Sequence, residues 1–466
     1  MIQTIDPATG EKLEEFEYTS ATELDEKLEG AVAAQKTWRG LSFAERGRIF
    51  SAVANVLRSH KDELAATATR EMGKPIAQAI AEVEKCAWCC EFYAEHAATY
   101  LAEQIIETNA QKSYVAFRPL GIVLAIMPWN FPYWQVFRAA APALMAGNAM
   151  VLKHASNVSR CALEIESVFR QAGAPEGIFT TLLLKNDAIA GLIADGRIAA
   201  ATLTGSEGAG MSVASAAGHA LKKVVLELGG SDPFIVLADA DIEAAVKVAV
   251  RARFQNNGQS CIAAKRFIVE SPIYDNFTTK FAAAAAAQVL GDPMEQKTEL
   301  GPVARDDLRD ALDKQIDASV SAGARIVTGG KAVERKGFFY EATVLADVTR
   351  SMPVFREETF GPAAAVMQAE NAEHAVELAN DSNFGLGGNL WTRNMDAAQK
   401  LATTIQSGSV FINGMTASDP RLPFGGIKRS GYGRELGAFG IREFVNVQTV
   451  WIGPEKTGTQ QKHGPE

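Results

Sequence analysis

Short apolar runs and longer amphipathic stretches alternate along the chain from about residue 120. Five apolar runs stand out, at 121–127, 149–154, 179–184, 200–205 and 224–230. They lack the strict alternation of a half-solvated strand, so they are typical of strands buried on both faces of a parallel sheet. The stretches between them, such as 158–172 and 207–221, are long enough for crossover helices. This pattern predicts a doubly wound α/β domain.

A second alternation of the same kind begins at residues 233–237 and runs to about residue 412. It contains the apolar runs 265–270, 324–330 and 408–414 and the helical stretch 303–321. The first 110 residues show helical spacing instead. We therefore predict an α/β fold with two lobes that meet near residue 230.

Composition narrows the class of protein. The 466 residues include 46 basic and 55 acidic side chains, a net charge of −9, and 47% hydrophobic residues. A chain of this composition has a sizeable core and is a poor ligand for nucleic acid or anionic membranes. We find no run of about 18 apolar residues and no basic-then-apolar leader, so we expect no membrane span and a cytoplasmic location.

The cysteines are five in number, which favours reduced thiols over a disulfide framework. Cys86, Cys89 and Cys90 cluster in a segment with helical spacing. Free cysteine is commonly a small core residue, and few histidines are available as further ligands. We predict that these three are buried in a helix, and we expect no metal site.

Three residues stand out for chemistry. Cys261 lies in a polar, glycine-containing loop, where a thiol is reactive only if its surroundings lower its pKa. Glu227 interrupts an apolar strand, so it is either paired structurally or a base with a raised pKa. Asn130 follows a predicted strand end, where it either forms a turn or reaches a ligand crevice.

The segment GSEGAG at 205–210 follows a predicted strand and opens a predicted helix. Glycines there let the backbone approach a ligand, and a helix N-terminus favours phosphate. The segment matches neither the GxGxxG fingerprint nor a Walker loop. A tight strand-to-helix turn without a ligand is the alternative interpretation.

Taken together, five motifs resemble the successive signatures of the aldehyde dehydrogenase superfamily, in that family's order. They are PWNFP (128–132), LELGGSDP (226–233), NNGQSC (256–261), EETFGP (357–362) and PFGGIKRSGYGRE (423–435). The resemblance covers about residues 5–452. Further details, such as MPWNFPYWQVFR, resemble bacterial succinate-semialdehyde dehydrogenases. The resemblance implies oxidation of succinic semialdehyde to succinate by hydride transfer to NADP, or to NAD.

The resemblance also assigns catalytic roles that this chemistry requires. Cys261 is expected to attack the aldehyde carbon and form a thiohemiacetal. The Asn130 amide and the backbone N–H of Cys261 are expected to hold its oxyanion. Glu227 is expected to activate the water that hydrolyses the resulting thioester.

For the cofactor, the resemblance points to residues on both sides of the crevice. The expected contacts are Lys153, Ser156, Gly205, Ser206, Glu358, Phe360 and Trp129. NAD-preferring relatives carry a glutamate where this chain has Ser156. Such a carboxylate repels a 2′-phosphate by about 4 kcal/mol at 4 Å and an effective dielectric near 20, so Ser156 favours NADP. Alternatively, Ser156 merely caps the following helix.

For the substrate, Arg138 matches an arginine that binds the distal carboxylate, and Ser418 and Trp134 complete the expected pocket. Two departures from the family matter. Some relatives carry a second arginine at the position of Gln255, so specificity for succinic semialdehyde is expected to be looser. Some also carry a redox-active cysteine where this chain has Ala263.

The family fold implies two Rossmann-type lobes and a small β extension that bridges subunits. We predict a cofactor-binding domain at 1–99 and 119–229, a catalytic domain at 230–436, an oligomerisation extension at 100–118 and 437–453, and a flexible tail at 454–466. The extension implies a homodimer or homotetramer.

Three alternative functions are compatible with parts of the sequence. The first is a broad-specificity dehydrogenase for aliphatic or aromatic aldehydes, in which Arg138 has no selective part. The second is a CoA-acylating relative, which Glu227 disfavours because such relatives generally lack that base. The third is a silent structural or binding protein on the same fold, which the retention of Cys261, Glu227 and Asn130 disfavours.

Overall fold

The structure is a computed structural model that describes residues 1–453. The predicted flexible tail at 454–466 lies outside the described residues. The strands are β1 (Ile2–Ile5), β2 (Lys12–Phe16), β3 (Gln104–Ile105), β4 (Lys112–Pro119), β5 (Ile122–Met127), β6 (Ala149–His154), β7 (Phe179–Thr181), β8 (Ile198–Thr204), β9 (Lys223–Glu227), β10 (Asp232–Val236), β11 (Ala264–Glu270), β12 (Arg325–Thr328), β13 (Thr343–Ala346), β14 (Ala363–Ala369), β15 (Phe384–Gly385), β16 (Gly387–Trp391), β17 (Ser409–Ile412), β18 (Ile427–Lys428), β19 (Gly431–Tyr432) and β20 (Val445–Ile452). The helices are α1 (Ala21–Trp38), α2 (Phe43–Ser59), α3 (Lys61–Met72), α4 (Ile76–Tyr100), α5 (Trp134–Met145), α6 (Ser159–Gln171), α7 (Ile189–Ala194), α8 (Glu207–His219), α9 (Ile242–Phe254), α10 (Tyr274–Ala286), α11 (Asp306–Ser321), α12 (Pro353–Arg356), α13 (Ala372–Asn380), α14 (Met395–Ala402) and α15 (Gly437–Ile441).

The first sheet has six strands in the order β19-β9-β8-β5-β6-β7. Its strands are parallel except β19, which pairs antiparallel with β9. All six residues of β6 are buried, because helices cover both faces of the sheet. Helix α5 is likewise buried along its whole length. The predicted doubly wound α/β arrangement is confirmed for this region.

The second sheet has seven strands in the order β12-β13-β14-β11-β10-β16-β17. Only the edge strand β12 is antiparallel to its neighbour. Ile235 and Ile268 face one apolar cluster, whereas Phe234 and Phe267 face another. Successive residues therefore point to opposite, equally buried faces, which explains why these strands read as unbroken apolar runs.

A small third sheet combines distant parts of the chain, in the order β20-β4-β3. Strands β4 and β20 run antiparallel, from the pair Lys112 and Ile452 to the pair Pro119 and Val445. The segment 437–444 does not join this sheet, because Gly437–Ile441 forms α15 and Ile441 packs in the core of the first lobe. The function of this sheet as a subunit bridge stays a prediction.

Two expectations from the sequence need correction. Residues 1–16 form the β1–β2 hairpin rather than a helix. Ile2 and Thr4 are buried while Gln3 and Ile5 are not, a period of two that is too short to stand out in the sequence. The short strand β19 also pairs with Glu227 and Leu226 of β9. It therefore lies in the first sheet, although its position in the chain falls within the predicted catalytic segment.

Helix α4 carries the cysteine cluster. Cys86, Cys89 and Cys90 are fully buried in it, and all three are free thiols, as predicted. Burial raises the pKa of the Cys86 thiol well above its usual range. Within residues 1–453, no helix is both long and apolar enough to cross a membrane.

Candidate active site

A cavity of about 500 Å³ opens between the two large sheets. Its wall combines α4, the segment that leads into α5, the loop after α9, and two segments near the end of the chain. The lining residues are Gln78, Ala81, Glu82, Lys85, Phe131, Trp134, Gln135, Arg138, Arg251, Gln255, Asn256, Ser260, Cys261, Ile262, Met415, Thr416, Ala417, Ser418 and Phe424. The cavity thus brings together four residues singled out in the sequence, Cys261, Arg138, Trp134 and Ser418.

The loop that presents Cys261 has an unusual backbone. Asn256 and Asn257 adopt left-handed conformations, with φ of 56° and 57°, and Gly258 has φ of 71°. Asparagine tolerates this region better than other side chains, and at position 258 a Cβ would lie 2.3 Å from the carbonyl oxygen of Gly361. The NNG sequence therefore ends α9 and turns the chain sharply before the cysteine.

The Cys261 thiol is partly accessible through the cavity. Burial raises its pKa to about 12, while the cations Arg138 and Lys265 act against that rise and the carboxylates Glu358 and Glu227 add to it. The resting thiol is therefore protonated at neutral pH. Nucleophilic attack requires that its proton leave.

Lys265 was not singled out in the sequence, yet it links the cysteine loop to the predicted cofactor site. Its Nζ is fully buried and donates to the backbone oxygens of Ser260 and Cys261 at 2.9 and 2.8 Å. It also lies 3.2 Å from Oε1 of Glu358. That same carboxylate oxygen accepts from the backbone N–H of Gly230 at 3.0 Å. In the sequence, Lys265 is followed by Arg266 near the start of β11, and nothing in that pattern predicts these contacts.

Asn130 reaches directly to the cysteine loop. Its Nδ2 donates to the backbone oxygen of Gln259 at 3.0 Å, and its own backbone oxygen accepts from Nδ2 of Asn256 at 2.7 Å. The side chain is 4% exposed, and its Oδ1 accepts no hydrogen bond from the described residues. The Asn130 amide thus contacts the backbone two residues before Cys261. Asn130 is therefore more than a residue of a local turn.

Glu82 fixes the segment that carries Asn130. It is buried on α4, and its Oε1 accepts from the backbone N–H groups of Tyr133 and Trp134, each at 2.9 Å. Its Oε2 pairs with the buried Nζ of Lys74. A carboxylate at the N-terminus of α5 is favourable because the first N–H groups of a helix lack intrahelical partners. A single glutamate on a helix gives no sequence signal for this role.

Glu227 ends β9 and is 1% exposed. Neither carboxylate oxygen accepts a hydrogen bond from the described residues. Burial raises its pKa well above the usual range, and the neighbouring Glu435 raises it further. The interpretation of a structurally paired carboxylate is therefore wrong for the described residues, and the role of Glu227 as a base stays a prediction. Glu227 is not a wall residue of the 500 Å³ cavity.

Arg138, which the resemblance assigned to the distal carboxylate of the substrate, already has a partner within the protein. It is 1% exposed, and its Nε pairs with the buried Glu435. Its Nη2 donates to Oγ1 of Thr204 at 3.2 Å, and the guanidinium lies 4.5 Å from the ring centre of Phe424. This ion pair is therefore buried and is not a surface salt bridge. Arg138 nevertheless lines the cavity.

The predicted dinucleotide contacts lie outside that cavity. Lys153 is 7% exposed, and its Nζ donates to Oδ1 of Asn186 at 2.6 Å. The exposed Ser156 begins a 3-10 turn whose N-cap is Ala155. Helix α6 likewise has no side-chain cap. The interpretation of Ser156 as a helix cap is therefore wrong.

The GSEGAG segment forms a tight turn into α8. Ser206 is the N-cap, and its Oγ accepts from the backbone N–H of Ala209 at 3.4 Å. Gly205 donates its backbone N–H to the oxygen of Glu227 at 2.9 Å, so this turn adjoins the strand that carries the buried carboxylate. Across the crevice, Trp129 and Phe360 meet edge to face with ring centres 5.7 Å apart.

Comparisons with known proteins match this arrangement. The chain fits the profile of the aldehyde dehydrogenase family over residues 1–450. The chain therefore belongs to the aldehyde dehydrogenase family.

Among its relatives is a Synechocystis protein named "Probable succinate-semialdehyde dehydrogenase", specified as NADP(+), which is 54% identical over 97% of this chain and 99% of that one. The succinate semialdehyde dehydrogenase of Escherichia coli, specified as NAD(P)+, is 50% identical over 96% of this chain and 97% of that one. The crystal structure of succinic semialdehyde dehydrogenase from Streptococcus pyogenes in complex with NADP+ superposes with a TM-score of 0.95 at 40% identity. It covers 97% of this chain and 100% of that chain.

Proposed function

We propose that this protein oxidises succinic semialdehyde to succinate with NADP, through a thiohemiacetal and a thioester on Cys261. One observation carries the proposal: Cys261 shares a single cavity with Arg138, Ser418 and Trp134. A nucleophile and carboxylate-binding donors in one cavity fit a short aldehyde acid. The names of relatives at 50% and 54% identity support the same substrate.

The Cys261 thiol gives its proton to water, its sulfur then attacks the aldehyde carbon, and the carbonyl oxygen becomes an oxyanion. The amide of Asn130, held against the cysteine loop, and the backbone N–H of Cys261 donate to that oxyanion. Glu227 then takes a proton from the water that hydrolyses the thioester. Its raised pKa makes it a stronger base once it is ionised.

The described residues fit a phosphorylated dinucleotide. Lys153 is a buried cation that forms no ion pair with a carboxylate among residues 1–453, so it suits a 2′-phosphate. Ser206 lies at a helix N-terminus, which favours phosphate, and Glu358 can accept from ribose hydroxyls. A Cβ at Gly229 would lie 2.6 Å from Oε2 of Glu358, so a larger residue at position 229 would displace that carboxylate. The oxidised dinucleotide, when bound, accepts the hydride.

At the far end of the cavity, Ser418 and Arg138 offer donors to the second carboxylate of the substrate, and Trp134 forms an apolar side wall. Gln255 lines the same cavity in place of the second arginine of some relatives. Arg138→Ala is a poor test of recognition, since it would also leave the buried Glu435 without its partner.

The decisive experiment measures initial rates on succinic semialdehyde and on butanal, each with NADP and with NAD. A large advantage in kcat/KM for succinic semialdehyde with NADP is expected. Equal rates on both aldehydes would favour the broad-specificity alternative, which the aromatic and apolar side chains of Phe131, Trp134, Met415 and Phe424 also allow. No reduced dinucleotide with any aldehyde would favour the silent-protein alternative.

The cofactor assignment has its own test in Ser156→Glu. The new carboxylate would repel a 2′-phosphate, so the ratio of kcat/KM for NADP to that for NAD should fall by at least tenfold. Ser156→Gln, which has nearly the same shape without the charge, is the matched control and should shift the ratio much less. A Ser156→Glu variant that still prefers NADP would contradict this account of selectivity.

We also propose that the third sheet joins copies of the chain into a homodimer or homotetramer in the cytoplasm. Val447 and Trp451 on β20 are 61% and 52% exposed, and Phe439 is 66% exposed, so apolar surface is available near this sheet. The five cysteines are free, which suits a reducing compartment. Analytical ultracentrifugation of the protein and of Trp451→Glu tests the assembly, because a charge in an apolar interface should dissociate it.

A further inference from the structure

Lys85 is the one lysine on the wall of the cavity that holds Cys261. It lies on α4, and its Nζ donates to Oγ of Ser418 at 2.7 Å. The same ammonium lies 4.2 Å from the ring centre of Trp134. Lys85 thus contacts both residues that were expected to flank Arg138 at the carboxylate end of the substrate. It was not among the residues that the sequence singled out.

The charge of Lys85 is uncompensated, unlike that of its neighbours. Each of the two acidic side chains that interact with it is engaged by another cation: Glu82 by Lys74, and Asp419 by Arg421. Among residues 1–453, no carboxylate forms an ion pair with Lys85. A cation in a partly buried cavity without a counter-ion is unfavourable, so an anionic ligand there gains the interaction that the protein itself does not supply.

We propose that Lys85 is a specificity-determining residue, which binds the distal carboxylate of the aldehyde substrate together with Ser418. Arg138 contributes N–H donors to the same carboxylate, but its charge is already balanced by Glu435. The net attraction for an anionic substrate over a neutral one therefore comes mainly from Lys85, because Arg251, the other cation of the wall without an ion pair among the described residues, is exposed and screened by solvent. This assignment rests on the proposed function, since it concerns the carboxylate of a short aldehyde acid.

A purely structural role for Lys85 predicts different behaviour. If its ammonium only held Ser418 and Trp134 in place, removing it would disturb every aldehyde alike. If it binds the substrate carboxylate, only the acidic aldehyde is affected. The comparison of succinic semialdehyde with butanal separates the two roles, because both share Cys261, Asn130 and Glu227.

The first test is Lys85→Met, which keeps an unbranched apolar stem and removes the charge. The expected result is a loss of kcat/KM for succinic semialdehyde of about 10- to 100-fold, the usual range for one hydrogen bond to a charged group. The loss should appear mainly in KM, and kcat/KM for butanal should change by less than about threefold. Lys85→Arg restores the charge and should recover part of the loss.

The matched control is Lys247→Met, which removes a positive charge at an exposed position on α9 that does not line the cavity. A screened surface charge should alter kcat/KM for succinic semialdehyde by less than about threefold. An equal loss in Lys247→Met and Lys85→Met would mean that the general field of the protein, rather than a contact at Lys85, attracts the substrate. That outcome would overturn the proposal.

The second test needs no variant. Burial lowers the pKa of Lys85 to about 8, and the nearby Arg138 contributes to the shift. The other titratable groups that face Lys85 are Glu82, Cys86, Cys89 and Asp419. Lys85 is charged below that pKa. The kcat/KM of succinic semialdehyde divided by that of butanal should therefore fall by up to about tenfold as pH rises from 7 to 9, while groups shared by both reactions cancel. A ratio that stays level over this range would overturn the proposal even if Lys85→Met failed to fold.

The outcomes distinguish this proposal from the proposed function. A wild-type enzyme without preference for succinic semialdehyde over butanal would overturn both. A wild-type preference that survives intact in Lys85→Met would overturn the role of Lys85 alone and leave the substrate assignment standing. Equal losses on both aldehydes in a folded Lys85→Met variant would make Lys85 a structural residue.

Discussion

Glu82 and Glu227 are both buried carboxylates of the same lobe, yet their surroundings are opposite. Glu82 accepts two backbone N–H groups and pairs with Lys74. Glu227 accepts no hydrogen bond from the described residues, and its nearest acidic neighbour, Glu435, raises its pKa further. Burial alone does not tell a structural carboxylate from a reactive one.

The comparison shows that, among the described residues, the protein tolerates a buried carboxylate without a partner at one position of this lobe. A buried carboxylate with its partners in place stabilises the segment it holds, whereas one without partners is destabilising unless it stays protonated. Glu227 thus reduces stability, which its proposed role as the base of thioester hydrolysis would explain, and Glu82 holds the segment that carries Asn130. Substitutions that remove one charge at a time can test this contrast.

The largest effect is expected from Glu227→Gln on turnover. Loss of a general base typically lowers kcat by about 10²- to 10⁴-fold, because thioester hydrolysis then lacks proton transfer. Stopped-flow measurement should show an early burst of reduced dinucleotide of up to one equivalent per active site, followed by very slow turnover. Steady-state rates equal to those of the wild type would remove Glu227 from catalysis.

The next effect is expected from Glu82→Gln on stability. The neutral amide leaves the buried ammonium of Lys74 without a counter-charge, so the free energy of unfolding should fall by about 3–5 kcal/mol. Urea unfolding monitored by circular dichroism measures it. In the double variant Glu82→Gln with Lys74→Met, most of the lost free energy of unfolding should be recovered. A single variant as stable as the wild type would show that the pair is dispensable.

A third expectation concerns pH. The raised pKa of Glu227 means that the folded state binds its proton more tightly than the unfolded state, so the wild type loses stability as pH rises above the usual carboxyl range. Glu227→Gln removes this loss. The stability advantage of Glu227→Gln over the wild type should therefore grow from pH 5 to pH 8 in urea unfolding. An advantage that shrinks with rising pH would mean that Glu227 is stabilised as a carboxylate.

The smallest effect on stability is expected at Glu71, whose surroundings are intermediate between those of Glu82 and Glu227. Its carboxylate oxygens accept from the backbone N–H groups of Arg160 and Cys161 at the start of α6, each at 3.0 Å, but no cation pairs with it among residues 1–453. Burial raises its pKa to about 7. Glu71→Gln keeps an acceptor oxygen, so it should change the free energy of unfolding by only about 1 kcal/mol near pH 7. A change as large as that for Glu82→Gln would place Glu71 with the paired carboxylates.

Much of the fold could be predicted because the strands of both large sheets are buried on two faces. The runs at 122–127 in the first sheet and 233–236 in the second are continuous in apolar character, so local sequence suffices. The β1–β2 hairpin was missed because its period of two covers only a few residues. The strand β19 was placed in the wrong lobe, since its pairing with β9 joins segments about 200 residues apart.

The candidate site divides in the same way. Cys261, Asn130 and Glu227 lie in motifs, so their residue types and order point to chemistry before any contact is known. The pairing of Arg138 with Glu435 and the contact of Lys85 with Ser418 join residues about 300 apart in the chain. No local pattern encodes such contacts. The same holds for Lys265, whose three contacts depend on how the loop folds back on Glu358.

The protonated state of Cys261 affects how quickly the purified protein is oxidised. Burial raises the pKa of this thiol above its usual range, so only a small fraction is thiolate at pH 7, the form with which peroxides and alkylating reagents react. The other four cysteines are buried. A preparation stored without ligands should therefore oxidise slowly, although the nucleophile of the enzyme lies in a cavity that small oxidants can enter.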